Sequence, residues 1–166
     1  MRLLIPIVVI ALAITPRTDC TAGPVTTLKV PRDVAVATGK SVRVESAWVR
    51  AAPPGAMMLS AYMILRNGGR TPVRFESAQS DGFGMVELHR SLVVSGVSKM
   101  RPAGAQTIPP GGSLQFEPGG LHLMLMRPQR ELKIGDTVRF HLHFDDGEVV
   151  DVVAQVSAQP LPTTTH

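Results

Sequence analysis

The sequence predicts an all-β domain, a sandwich or barrel of roughly seven or eight short strands. Segments in which apolar and polar residues alternate recur along the chain, and this period of two is typical of half-buried strands. The 166 residues include 15 glycines and 14 prolines, a content that suits a chain with many turns. No segment combines the length and the periodicity of a long amphipathic helix.

The first predicted strands are alternating or strongly apolar runs that end at turn-forming residues. Their ranges are 42–45 continued by 47–50, then 59–66, 73–77 and 85–89. The intervening turns contain Pro53-Pro54-Gly55, Asn67-Gly68-Gly69 and Asp81-Gly82-Phe83-Gly84. Glycine, proline, asparagine and aspartate favour tight turns, so each run is expected to be a separate strand.

The later predicted strands have ranges 113–117, 121–126, 138–144 and 149–156. Turns are expected at Pro118-Gly119-Gly120 and at Asp145-Asp146-Gly147. Residues 102–112 are rich in proline and glycine and are expected to form a loop.

The N-terminal segment resembles a secretory signal. Arg2 is followed by an apolar run at residues 3–14, which is too short to span a bilayer because that takes about twenty residues. Cleavage after Ala22 is expected, while lipidation of Cys20 or retention of the segment as an anchor are the alternatives. The body is therefore expected in the periplasm or another space outside the cytoplasm, with membrane attachment only under those alternatives.

The chain is expected to divide into four parts. Residues 1–22 are the signal, residues 23–41 a loosely ordered segment with at most one strand, residues 42–157 the β domain, and residues 158–166 a flexible tail. This tail, like the leader, lacks the apolar periodicity of a packed element.

Composition and motifs exclude several function classes. The seven aromatic residues are not interleaved with basic runs, which argues against nucleic-acid binding. The single cysteine excludes an internal disulfide and a cysteine-based zinc site. Neither a glycine-rich phosphate loop nor a GxSxG or HExxH motif is present, so the chain is not expected to be an enzyme.

Metal-binding chemistry is concentrated at residues 121–126. In a strand, the alternation places the three leucines on one face and His122, Met124 and Met126 on the other. His89 is expected at the end of an upstream strand, and Met100 in a loop between charged residues. The alternative is that the methionines pack in the core and the histidines lie on the surface.

Two imidazoles with two or three thioethers favour Cu(I). Thioethers are soft, neutral ligands that suit Cu(I) better than hard ions, and zinc usually takes histidine, cysteine or carboxylate ligands. In an oxidising compartment a pair of cysteines forms a disulfide, whereas a thioether has no proton to lose and does not. A second candidate is His141 with His143, which share one strand face and would suit Cu(II) or Zn²⁺. The alternative is that this face is simply solvated.

The spacing of the candidate ligands forms the pattern H-x10-M-x21-H-x-M, made by His89, Met100, His122 and Met124. Together with its flanks, this pattern resembles the periplasmic copper chaperones of the PCu(A)C family over roughly residues 42–155. The flanks that carry the resemblance are Ala47-Trp48-Val49-Arg50-Ala51, Pro53-Pro54-Gly55, Ala61-Tyr62, Arg66-Asn67, Val86-Glu87-Leu88, Lys99, Arg101-Pro102, residues 109–112, 118–126 and 132–136.

The resemblance implies a cupredoxin-like Greek-key β-barrel or sandwich that binds one Cu(I) through His89, Met100, His122 and Met124. It also implies delivery of copper to the CuA centre in subunit II of cytochrome c oxidase, alongside Sco-type proteins. The chain departs from the family at Arg90-Ser91, where an acidic residue and often a methionine are common, and a positive charge there is expected to weaken metal binding slightly.

Two other functions remain open from the sequence. The same ligands would serve a periplasmic copper buffer without a dedicated recipient, and a metal-free β-sandwich could be an interaction module. A blue-copper electron carrier is disfavoured because its site needs a cysteine thiolate and Cys20 lies in the leader. The tail contributes only His166, so a second metal site there is not expected. The protein is expected to be a monomer.

Overall fold

The computed structural model describes residues 37–160. The predicted signal at residues 1–22 and all but three residues of the predicted tail lie outside the described residues. Within residues 37–160 there are strands and no helix, and thus no helix that could cross a membrane. The all-β prediction is confirmed. The strands are β1 (Ala37–Thr38), β2 (Val42–Arg50), β3 (Met58–Asn67), β4 (Val73–Gln79), β5 (Phe83–Val94), β6 (Val97–Pro102), β7 (Gln106–Ile108), β8 (Ser113–Phe116), β9 (Leu121–Pro128), β10 (Thr137–Phe144) and β11 (Val149–Ser157).

The strands form one continuous hydrogen-bonded path in the order β6-β5-β9-β8-β3-β2-β11-β10-β4-β7. β1 pairs with β2, and β9 also pairs directly with β3. The pairings of β2 with β11 and of β8 with β9 are parallel, so the chain crosses between strands instead of forming a simple meander. The path encloses a single apolar core, whose largest fully buried side chains include Phe75, Phe140, Met63 and Leu65.

Strand β9 connects this core to the outer surface. Leu121, Leu123 and Leu125 are buried in the core, as their alternation predicts. The intervening residues of β9 therefore lie on the outer face, between the neighbouring strands β3 and β5.

A β-bulge changes the phase of strand β2. Ser46 has a φ of 53°, and the register between β2 and β3 shifts between Glu45 and Trp48. Before the bulge the even-numbered residues Val42 and Val44 face the core, and after it the odd-numbered residues Ala47 and Val49 do. The bulge therefore turns Trp48 onto the outer face, where it pairs with Tyr62 of β3.

The hairpin of β5 and β6 corrects two predictions. Met100 was predicted in a loop, but it lies in β6, a strand whose six residues are all exposed. His89 was predicted at the end of its strand, but β5 continues to Val94. The two strands are joined at Ser95 and Gly96, which have φ values of 53° and 77°. Positive φ at both central residues is the turn geometry that suits the twist of a two-residue hairpin.

One further short strand was not predicted, and the single strand allowed in residues 23–41 is present as β1. The region 102–112 was predicted as a loop, yet it contains β7, which pairs with β4. Ile108 of β7 is fully buried, so this short strand also contributes to the core. The predicted segment 23–41 contains β1 in its described part.

Candidate metal centre

The centre of the candidate site is a pair of histidines on adjacent strands. His89 of β5 and His122 of β9 are direct partners in the antiparallel register, and their ring centroids are 6.2 Å apart. Direct partners project to the same face of a sheet. The structure therefore brings together two of the four predicted ligands that are 33 positions apart in the sequence.

Backbone contacts fix the orientation of the His122 ring. The side chain is buried, with the residue only 3% exposed, and its Nδ1 lies 3.2 Å from the carbonyl oxygen of Gly120. A carbonyl only accepts hydrogen bonds, so Nδ1 carries the proton and Nε2 keeps its lone pair. A metal ligand held in this way has a defined tautomer before the metal arrives.

The second ring is oriented by a carboxylate. His89 Nε2 lies 3.0 Å from Glu87 Oε2, two residues earlier on the same face. A carboxylate accepts, so Nε2 of the neutral ring donates to it and Nδ1 is left with the lone pair. In the structure His89 Nδ1 is buried and has no hydrogen-bond partner. A metal ion would satisfy a buried nitrogen with an unshared lone pair, so this atom is the candidate ligand atom of His89.

The two thioethers flank the histidines. Met124 is half-buried on β9, directly opposite Glu87, and faces the same side as His122. Met100 lies opposite Ser91, one diagonal position from His89, and is 58% exposed. Diagonal neighbours in a sheet are about 7–8 Å apart at Cα, within reach of a long side chain. The candidate site therefore combines an ordered half with one exposed methionine on the edge strand.

The expected unfavourable effect of Arg90 is reduced by its orientation. Its guanidinium donates a hydrogen bond to Gln106 Oε1 on β7, at 3.2 Å. Adjacent residues of a strand point to opposite faces, so this charge is directed away from the face that carries His89.

An aromatic pair covers His122, and sequence analysis did not assign it to the site. Trp48 and Tyr62 pack with ring centroids 4.8 Å apart and planes tilted by 35°, and Tyr62 lies 6.4 Å from the His122 ring. The Arg50 guanidinium carbon lies 5.8 Å from the Tyr62 centroid. The sequence signal for this pair was the change of phase between residues 42–45 and 47–50, which places Trp48 outward. From the sequence, Glu87 is only part of the flank Val86-Glu87-Leu88, with no predicted role at the site.

The second candidate pair, His141 and His143, has a different environment. His141 Nδ1 lies 2.6 Å from Asp151, and this hydrogen bond raises the pKa of His141. His143 Nε2 is buried without a hydrogen-bond partner. Across residues 37–160, no group of three or more histidine, cysteine, aspartate or glutamate side chains is arranged to hold a metal. A metal at either histidine pair would therefore need other ligands, and among the described residues methionines lie beside the pair of His89 and His122.

Comparison with known proteins places the β domain in a recognised family. The family model described as "Putative lipoprotein LpqE-like" matches residues 42–156. The chain is 33% identical over 116 residues to the protein named putative lipoprotein Lxx21020 from Leifsonia xyli subsp. xyli, and the alignment covers 69% of each chain. It is 30% identical over 86 residues to the uncharacterised protein RP573 from Rickettsia prowazekii, which covers 51% of this chain and 48% of that one.

Solved structures share the same fold. The copper-bound PCuAC domain from PmoF2 aligns with a TM-score of 0.61 and 23% identity, covering 74% of this chain and 98% of that domain. The solution structure of CuI-DR1885 from Deinococcus radiodurans aligns with a TM-score of 0.53 and 33% identity, covering 69% of this chain and 77% of that one. The predicted cupredoxin-like β-sandwich is confirmed by these likenesses.

Proposed function

Because the chain belongs to the LpqE-like family, we propose that it is an exported copper chaperone that binds one Cu(I) ion. The ligands in this proposal are His89, Met100, His122 and Met124. The copper-bound state of PmoF2 and the Cu(I)-bound state of DR1885, both with this fold, support the choice of metal.

One observation carries the proposal: the two facing imidazoles each keep an available nitrogen. The Gly120 carbonyl occupies Nδ1 of His122 and the Glu87 carboxylate occupies Nε2 of His89, so the opposite nitrogens are left. His89 Nδ1 is buried and unpaired. Two imidazole nitrogens with nearby thioethers suit a soft ion such as Cu(I).

The unequal exposure of the ligands suits transfer rather than storage. His122 is buried in a central strand and His89 is largely covered, whereas Met100 is exposed on the edge strand β6. An incoming ligand from a partner can replace Met100 first, while the other ligands still hold the ion. Copper then passes through a shared intermediate and is never free in solution.

The proposed recipient is the CuA centre in subunit II of cytochrome c oxidase, with Sco-type thiol proteins acting in the same pathway. This recipient rests on the resemblance of the ligand pattern to copper chaperones of the PCu(A)C family. Export rests on the N-terminal sequence and on the lipoprotein names of the family and of its relative from Leifsonia.

Anaerobic titration with Cu(I) against a competing chromophoric chelator tests the site. The wild type is expected to bind one equivalent of Cu(I) tightly. His122→Ala and Met124→Leu are each expected to lower the affinity for this ion about tenfold or more, which corresponds to at least about 1.4 kcal/mol. The matched controls are His143→Ala, a half-buried strand histidine elsewhere, and Met57→Leu, and both should bind as the wild type does. Unchanged affinity in both site variants would refute the assignment.

Delivery needs a separate experiment. Cu(I)-loaded protein mixed with the apo form of a soluble CuA domain should lose copper to it, followed by the absorbance of the CuA centre after oxidation. Gene deletion separates a chaperone from a buffer: loss of a chaperone lowers oxidase activity under scarce copper, whereas loss of a buffer sensitises cells to excess copper. Sensitivity to excess copper with normal oxidase activity would contradict delivery.

A further inference from the structure

Three methionines outside the proposed site form a row across three adjacent strands. Met126 of β9 is the register partner of Met58 on β3 and also of Met85 on β5. Direct partners project to the same face, so all three thioethers lie on the outer face that also carries Met124. We refer to Met58, Met85 and Met126 as the methionine row.

Packing does not account for the methionine row. Met58 is 59% exposed and Met85 is 40% exposed, while Met126 between them is half-buried. The core at this level is filled from the other face by Leu59 and Leu125. Methionine is an apolar residue, and its usual role is to fill gaps inside a core. Three of them aligned on a solvated face therefore call for another explanation.

The spacing of the row allows the three sulfur atoms to meet. Directly opposed residues on neighbouring strands have Cβ atoms about 4.5–5.5 Å apart. Met58 and Met85 therefore lie on either side of Met126, each at this distance. Methionine is unbranched with three rotatable bonds, which lets the outer side chains lean inward over the central one. A single ion above Met126 is then within reach of all three thioethers.

Three thioether ligands favour Cu(I) over other metal ions. They carry no charge and no proton, and they are soft ligands that favour Cu(I) over zinc, calcium or magnesium. Glu87 lies on the same face two residues after Met85, and its carboxylate favours a nearby cation. Arg127, which lies close to Gly84, opposes it. The site is therefore expected to be weaker than one that includes imidazoles.

We propose that the methionine row is a second Cu(I) site, formed only by thioethers. It is distinct from the site of His89 and His122 and adjoins it through Met124, which lies two residues before Met126 on the same face. The row supplies an entry point at which Cu(I) is first captured on the exposed part of the sheet. From there the ion passes along β9 towards the histidines.

Anaerobic Cu(I) titration of the purified protein against chelators of graded affinity tests this proposal. The wild type should bind a tight equivalent and then a weaker one. The triple variant Met58→Leu, Met85→Leu, Met126→Leu should lose the weaker equivalent and keep the tight one. Leucine is close to methionine in volume, so the fold should survive. Met57→Leu is the matched control, because Met57 is equally exposed but lines a cavity with Leu59 and Pro128 instead.

Methyl NMR gives a second readout, which identifies the methionines that bind the ion. With carbon-13 in the methionine methyl groups, the three signals of the methionine row should move together during the second equivalent only. The single variant Met126→Leu keeps the test decisive if the triple variant fails to fold. A wild type that binds one equivalent only, or a second equivalent that persists in the triple variant, would overturn the proposal.

The two copper proposals fail in different ways. His122→Ala should weaken the tight equivalent about tenfold or more and leave the methionine row able to bind Cu(I). If the tight equivalent is absent from the wild type but the row still binds, the chaperone site is wrong and the second site stands. If the wild type binds the tight equivalent but the methionine row binds no Cu(I), the second site is wrong and the chaperone site stands.

Discussion

Removal of the Glu87 carboxylate tests how the His89 ring is held for the metal. In the variant Glu87→Ala, His89 Nε2 loses the acceptor that lies 3.0 Å away. The ring is then free to rotate or to change tautomer, and Nδ1 is no longer fixed as the available nitrogen. We expect Cu(I) affinity to fall, with the fold unchanged.

The magnitude follows from the exposure of the two side chains. Loss of a group that orients a metal ligand typically lowers affinity by about 10- to 100-fold. The Glu87 side chain is 45% exposed, whereas that of His89 is 12% exposed, so water can replace part of the lost hydrogen bond. We therefore expect the lower end of the range, about tenfold, which corresponds to about 1.4 kcal/mol.

The assay is the anaerobic competition titration, with Glu76→Ala as the matched control. Glu76 is an exposed glutamate on β4, so its removal changes the net charge equally without touching the histidine pair. Equal affinity of the two variants would refute the orienting role. A loss as complete as that of His89→Ala would refute it differently, because Glu87 would then have to be a ligand itself.

Three further predictions concern the packing of Trp48 beside the site, the pKa of His141 and the hairpin of β5 and β6. Trp48→Ala should lower the free energy of unfolding by about 3–5 kcal/mol, because the residue is 4% exposed and packs against Tyr62. Urea denaturation measures this loss, and a loss below about 1 kcal/mol would contradict the packing role of Trp48. The hydrogen bond that His141 donates to the Asp151 carboxylate raises the pKa of His141. The stabilisation from this pair is therefore complete below the ordinary value of 6.5 and is lost as pH rises through the raised pKa. The difference in unfolding free energy between wild type and Asp151→Asn should therefore shrink from pH 6 to pH 9, and a constant difference would refute the linkage. Gly96→Val places a β-branched residue at a φ of 77°, which should loosen the hairpin and weaken Cu(I) binding, whereas Gly104→Val, at an open position without positive φ, should not.

The sequence predicted the direction of side chains correctly in strands that have one buried face. The alternation at residues 121–126 placed His122 and Met124 outward, and the structure agrees because the intervening leucines are in the core. The period of two is visible only when burial on one face constrains residue type.

The elements that were missed lack this constraint. All residues of β6 are exposed, so neither face imposes an alternation, and the strand depends on its pairing with β5. The local signal was the Ser95-Gly96 pair between valines, which is typical of a two-residue hairpin. β7 has three residues and is held by its pairing with β4, a contact between distant parts of the chain.

The pairing of His89 with His122 also depends on distant contacts. The spacing along the chain supports a family resemblance, but it does not state which residues are opposite each other. Register fixes that, and register is set by which faces are buried and by the turns. The roles of Glu87 and of the Gly120 carbonyl follow from the register and from local geometry, so residue type alone did not reveal them.

Substitutions on the two faces of strand β9 are expected to have different effects. Leu121, Leu123 and Leu125 belong to the core, and changes at these positions should be felt as loss of stability. His122 and Met124 face outward, so in the proposed site changes there would alter which ion binds, and how tightly, without removing a core side chain. If copper binds there as proposed, selection can change the metal preference by substitutions at alternate positions of one strand, while the core that supports this strand is unchanged.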